Sequence, residues 1–187
     1  MLEIKNNIAS DYYRYTGSKK ISFFSLIKLY IIESGFAFMF WHRLSESNFF
    51  LLSFFAKINA FRLRKNYNLH ISIKCKIGKG FYIGHGCNVF IAPTAVIGDN
   101  VSIHQCVTIG SNLGKAATIG NNVYISPHVC ITNDVFIGNN TVIGSGSVVT
   151  RDLQANAFCV GAPAKKIKDN HTLFRSVINP FFENENE

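Results

Sequence analysis

Two of the six histidines sit where the chain could do acid–base chemistry. His85 lies between Gly84 and Gly86, so the backbone on either side is open and the imidazole stands outward. A neutral imidazole that titrates near neutral pH can take a proton from a hydroxyl group, which makes His85 a candidate general base. His104 competes for that role one repeat further on. For both, the alternative is a solvated surface histidine; His42, His70, His128 and His171 carry no feature that sets them apart from it. The five cysteines form no CxxC pair and no metal-ligand spacing. Their odd number and lack of a framework point to reduced thiols, and nothing electropositive lies beside them to activate one as a nucleophile.

The histidines belong to a stretch, Ile71 to Thr150, that repeats every six residues. Large aliphatics recur at Ile71, Ile77, Ile83, Ile91, Ile97, Ile103, Ile109, Ile119, Ile125, Ile131, Ile137, Ile143 and Val149, with two extra residues before Ile91 and four before Ile119. A small or branched residue follows four places later, as at Cys75, Cys87, Ala95 and Val101, and Gly or Asn takes the turn positions between. This period fits neither a helix nor a long alternating strand. It fits short strands joined by tight turns, three to a triangular coil, with coils stacked over a continuous core. The expected fold is therefore mainly β, a parallel β-helix preceded by a helical segment. His85 sits just before the two-residue irregularity. The four-residue excess, SNLGKAAT at 111–118, is expected as a loop thrown out of the coil. The flat faces of such a prism offer no deep pocket to a single chain. A site is expected in a groove between neighbours, in a closed cyclic oligomer that suits a trimer.

Length and composition set the remaining bounds. At 187 residues the chain is expected to be one domain, or one domain with a small appendage. Three regions are expected: 1–66, helical, contacting an oligomer partner or a membrane; 67–168, the β-helix; and 169–187, an acidic and partly disordered tail. The first twenty residues read as polar and loosely structured. No apolar export signal opens the sequence, so a cytoplasmic location is expected. The formal charge of +8 is uneven, because residues 1–70 hold ten Lys and Arg against four Asp and Glu. Nucleic acid is a poor partner, since no binding motif accompanies the charge. An anionic surface suits it better. Residues 21–64 are rich in Phe, Leu and Ile, but no run of eighteen is free of charge, so two or three helices are expected rather than a membrane span. Two roles stand for them: a packed cap on the β-helix, or peripheral contact with the inner face of the cytoplasmic membrane.

Residues 77–110, IGKGFYIGHGCNVFIAPTAVIGDNVSIHQCVTIG, and 143–167, IGSGSVVTRDLQANAFCVGAPAKKI, resemble the serine acetyltransferase-like branch of the hexapeptide-repeat acyltransferases. The likeness covers about residues 68–168, with a weaker match in GFAFMFWHRL at 35–44. It implies a left-handed β-helix, a homotrimer and acetyl-CoA as acyl donor, with no metal. It also implies that His85 is the general base for direct transfer, with His104 as the secondary candidate. The coenzyme A arm is then expected along the groove near Gly110, Ser126 and Ser145, through backbone amides. Lys165 and Lys166 are expected to meet its phosphates, a task suited to flexible point charges.

Two departures from the branch bear on the acceptor. The aspartate that orients the base in serine acetyltransferases corresponds here to His70. The loop 111–118 lacks the Arg-His-Pro segment that holds serine, and a carboxylate substrate calls for arginine. From these, and from the IHQ-VTIG wording shared with polysaccharide-modifying relatives, the acceptor is expected to be a sugar hydroxyl of a capsular, exopolysaccharide or O-antigen polymer. Serine O-acetylation and a non-catalytic β-helix scaffold are the alternatives.

Overall fold

A computed structural model describes residues 2–112, 114–170 and Asn179. Four helices precede the coil: α1 (Leu2–Thr16), α2 (Phe23–Ile32), α3 (Ser34–Ser45) and α4 (Phe50–Tyr67). Thirteen short strands follow: β1 (Leu69–Ile71), β2 (Lys76–Ile77), β3 (Tyr82–Ile83), β4 (Val89–Ile91), β5 (Val96–Ile97), β6 (Ser102–Ile103), β7 (Thr108–Gly110), β8 (Thr118–Ile119), β9 (Tyr124–Ile125), β10 (Cys130–Thr132), β11 (Phe136–Ile137), β12 (Val142–Ile143) and β13 (Val148–Val149); then come β14 (Ala157–Gly161) and β15 (Ala164–Asp169). They form three sheets, the faces of a prism. The first holds β1, β4, β7, β10 and β13; the second β2, β5, β8 and β11; the third β3, β6, β9, β12, β14 and β15. All pairs are parallel except β14 with β15, a closing hairpin. The architecture is the left-handed parallel β-helix expected, mainly β with an N-terminal helical segment.

The six-residue period is the geometry of the core. Ile71, Ile91, Ile109, Ile131 and Val149 stack in one column, Ile77, Ile97, Ile119 and Ile137 in a second, and Ile83, Ile103, Ile125 and Ile143 in a third. All are buried. At one corner the turn residues Asn100, Asn122, Asn140 and Asn156 adopt left-handed backbone, which asparagine tolerates. Their side-chain amides bond upward from coil to coil at 2.8, 3.1 and 2.8 Å. Cys75 is buried as expected; Cys87 is only half-buried, because the two-residue excess moves it into the corner.

The bottom coil has no strand beneath it, and side chains of α1 and α3 meet its free backbone groups. The Tyr15 hydroxyl donates to the Ile83 carbonyl and accepts from the Ile83 amide at 3.2 and 3.0 Å. Asp11 accepts from the Phe81 amide at 2.8 Å. Arg43 donates to the carbonyls of Ile77 and Gly78 and grips Asp11 with both arms, at 2.9 and 3.2 Å. Both ions are buried. Burial pushes the Asp11 carboxyl up, while Arg43 and the amides pull it down. Gly35 lets α3 approach this closely, since a Cβ there would meet Ile83 and the Tyr15 hydroxyl within 2.8 Å.

The expectation of loose structure over residues 1–20 is corrected by α1. Its inner face mixes two kinds of contact: Asp11, Arg14 and Tyr15 bond to backbone, while Tyr12 and Tyr15 pack on Phe36, with Ile4 and Ile8 before them at helical spacing. Residues 21–67 supply three helices, at the upper end of the expected number. The expectation of a disordered tail falls mostly outside the described residues.

Two outcomes follow for stability. Arg43→Ala leaves the buried Asp11 carboxylate without its cation and should cost about 3–5 kcal/mol, seen as a fall in denaturation midpoint at constant slope. His42 is buried in α3, and burial, then the nearby Arg43 charge, lowers its pKa from 6.5 to about 4. The unfolded chain then takes a proton that the folded chain refuses. Stability should fall as pH drops from about 6.5 towards 4, by up to about 3 kcal/mol. Thermal scans across that range on the parent and on His42→Leu should differ by this step.

Candidate active site

His85 occupies the corner between the third and first sheets, after β3 (Tyr82–Ile83) and before β4 (Val89–Ile91). Its φ is 60°, in the left-handed region, and Gly86 follows at 48°. Left-handed backbone is uncommon for a residue with a Cβ and persists only where the surroundings impose it. Here they do. The Gly86 carbonyl accepts from Ser34 Oγ at 2.9 Å, tying the turn to the first residue of α3. A Cβ on Gly86 would collide with Ser34 and Gly35. The turn is clamped from below, and the His85 ring is exposed at the prism edge.

His104 lies one coil above, on the outward face of the third sheet. A Cβ on Gly84 would collide with its Nδ1, so the absent side chain makes room for the ring. Burial and the adjacent His85 charge both lower the His104 pKa. Its Nε2 is buried and has no hydrogen-bond partner among the described residues. Tyr82 and Tyr124 flank it at ring centroid distances of 6.0 and 4.9 Å. With Arg14 they line a pocket of about 140 Å³. The Arg14 guanidinium is held by the Gly80 carbonyl at 2.7 Å, Asn100 Oδ1 at 2.5 Å and Ser102 Oγ at 2.6 Å. The structure thus brings His85 and His104 together and adds three residues that the sequence reading missed. Tyr82 and Tyr124 carried a faint signal, an aromatic just before the inward aliphatic on the third sheet in the coils below and above His104. Arg14 carried none.

The other expected site residues divide. His70, in the place of the branch's aspartate, is occupied elsewhere: it stacks on Phe90 at 4.7 Å and bonds to Arg64 and Asn68 at 3.2 and 2.7 Å. The His85 ring has no hydrogen-bond partner among the described residues. Ser145 follows β12 at the same corner, three coils above His85, a rise of about 14 Å. Ser126 lies on the third sheet above Gly84 and His104. Its amide is committed to the Ile143 carbonyl at 3.0 Å, so the expected amide contact from Ser126 is corrected: only its hydroxyl is free of the ladder. Gly110 is on the first sheet, in a cleft of about 370 Å³ with His70, Phe90, Pro93 and Thr108. Lys165 and Lys166 are exposed on β15, and Lys166 pairs with Asp169 at 2.5 Å.

Residues 116–151 of this coil match the family described as bacterial transferase hexapeptide (six repeats). Among curated relatives, serine acetyltransferase of Synechococcus elongatus is 38% identical over 97 residues, which cover 49% of this chain and 39% of that protein. Serine acetyltransferase of Bacillus licheniformis is 29% identical over 161 residues, covering 83% of this chain and 74% of that one. Among solved structures, serine acetyltransferase of Neisseria gonorrhoeae in complex with serine superposes with a TM-score of 0.74 at 26% identity, over 88% of this chain and 69% of that one. The chain spans about two fifths of the first of these curated relatives.

These findings overturn the expected polysaccharide acceptor, because the relatives and the superposable structures are serine acetyltransferases. The expectation rested on a loop without arginine, on His70 in the aspartate's place and on the IHQ-VTIG wording. The fold brings a guanidinium to the third sheet from α1, where Arg14 meets Ser102.

Gly84→Ala tests this geometry without touching an ionisable group. The added methyl must displace the His104 ring, and the His104 imidazole resonances in a proton–nitrogen spectrum should shift while the far-ultraviolet dichroism stays constant.

Proposed function

We propose that this chain is an acetyl-CoA-dependent O-acetyltransferase whose acceptor is L-serine, working as a homotrimer with the site in the groove between neighbours. The observation that carries the reading is His85, exposed on a clamped corner of a β-helix that superposes on a serine acetyltransferase in complex with serine. His85 takes the proton of the acceptor hydroxyl as its oxygen attacks the thioester carbonyl of acetyl-CoA. The carbon–sulfur bond breaks, and His85 returns the proton to the departing sulfur. General-base help of this kind contributes about 10²–10⁴-fold, and positioning supplies the rest.

His70 is engaged by Arg64, Asn68 and Phe90, so orientation of His85 falls to its own backbone turn rather than to a carboxylate. His104, neutral by burial, presents Nε2 towards the pocket as a positioning group for the acceptor. Arg14 sets a positive charge beside the same pocket, the complement of an amino-acid carboxylate. The coenzyme A arm runs up the corner past Ser145, with Gly110 and the Ser126 hydroxyl to either side, and Lys165 and Lys166 meet its phosphates.

A thiol-release assay with acetyl-CoA and L-serine tests the reading. His85→Ala should lower turnover by about 10²–10⁴-fold with little change in coenzyme A binding. Arg14→Gln should raise KM for serine roughly tenfold or more, with a smaller effect on kcat. It should leave any turnover of ethanolamine, which lacks the carboxylate, unchanged. Full activity in His85→Ala would overturn the base. Equal use of serine and ethanolamine would overturn the acceptor.

A further inference from the structure

Helix α4 packs the wrong way round for a helix whose outer face meets water. Its buried residues are small: Ser53, Ala56 and Ala60. The opposite face carries Phe50, Leu51, Phe54, Phe55, Ile58 and Phe61, exposed by 42 to 78%. A surface helix normally shows the reverse, large apolar residues inward and polar ones outward. Helix α2 has no buried residue at all, and Phe23, Phe24, Ile31 and Ile32 are exposed by 63 to 82%. Exposed apolar groups concentrated on two elements mark a surface that something covers.

The charges on these helices say what. Neither α2 nor α4 contains an acidic residue, while Lys28, Lys57, Arg62, Arg64 and Lys65 lie on them and Lys19 and Lys20 are exposed just before α2. Lys65 extends over the Phe61 ring, its ammonium 5.5 Å from the centroid. A second copy seated face to face would set cations against the same cations around an apolar centre, which opposes self-association. A bilayer with negatively charged headgroups offers apolar depth for the phenylalanines and anions for the rim. Insertion across a bilayer does not fit. Among the described residues no single helix is long and apolar enough, and the bent pair α2 with α3 would have to pull out Arg43, which is buried on Asp11.

We propose that α2 and α4 dock this protein onto the surface of an anionic phospholipid bilayer, the aromatic face of α4 entering the headgroup boundary and the lysines and arginines meeting phosphates. This holds whatever acceptor the active site uses.

Vesicle flotation of the full chain tests it, with phosphatidylcholine vesicles against phosphatidylcholine–phosphatidylglycerol mixtures. The protein should float with the anionic vesicles at least about tenfold more strongly than with the neutral ones, and half-molar salt should weaken this. The combined Phe54→Ser, Phe55→Ser and Phe61→Ser variant should lose roughly tenfold or more of that partitioning. So should the combined Lys57→Glu, Arg62→Glu and Lys65→Glu variant, whose apolar face is intact. Far-ultraviolet dichroism should be unchanged in both, since every altered side chain is exposed. Parent protein that stays soluble with both kinds of vesicle would overturn the proposal. So would a serine variant that floats as well as the parent, or a parent that binds no lipid but loses mass on light scattering when the phenylalanines are replaced, which would assign the face to a second copy.

Discussion

A parallel β-helix solves its hydrogen-bonding problem one coil at a time, and its first coil has no predecessor. The backbone groups of Ile77, Gly78, Phe81 and Ile83 would be buried without partners, at a cost of about 1–3 kcal/mol each. Asp11, Tyr15 and Arg43 meet that need. They also keep the lower edge from pairing with another chain, the hazard of any exposed strand edge. At the far end the antiparallel β14–β15 hairpin does the same job with backbone alone. The helical segment is thus part of the β-helix's own bonding, with Arg43 and Asp11 joining α1, α3 and the coil at one buried point.

That cap also builds the site. With α3 seated by Arg43, the Ser34 hydroxyl reaches the Gly86 carbonyl and Gly35 lies against Gly86, and the left-handed turn that presents His85 is held from beneath. With α1 seated by Asp11 and Tyr15, Arg14 reaches across the third sheet to the rim of the pocket around His104. The contacts that hold the cap on the coil also hold the turn that carries His85.

The helices that cap the coil do so unequally. α1 and α3 turn their functional groups inward. α2 and α4 turn phenylalanines and lysines outward, and α4 contributes only its small residues to the interior. The N-terminal segment therefore divides into an inner layer committed to the β-helix and an outer layer facing something else.

Much of this was legible in the residues themselves. The hexad of Ile71 to Val149 determined the prism, because only a short strand and a tight turn place every sixth side chain in one column. His85 stood out locally, since a histidine between two glycines needs an unusual backbone and each glycine is required by a neighbour within reach. What the tertiary structure decided were the contacts that no local pattern encodes. Arg14 meets Ser102 and Asn100 across more than eighty residues, and Arg43 meets Asp11 across thirty-two. Both pairings use polar side chains on backbone or on each other, and so leave no periodic trace. The loop after Gly110 carries no arginine, and the charge beside His104 comes from a helix folded back from the start of the chain. A repeat is written in spacing and survives in one dimension; a cap and a binding pocket are made of distances, and exist only once the chain has closed on itself.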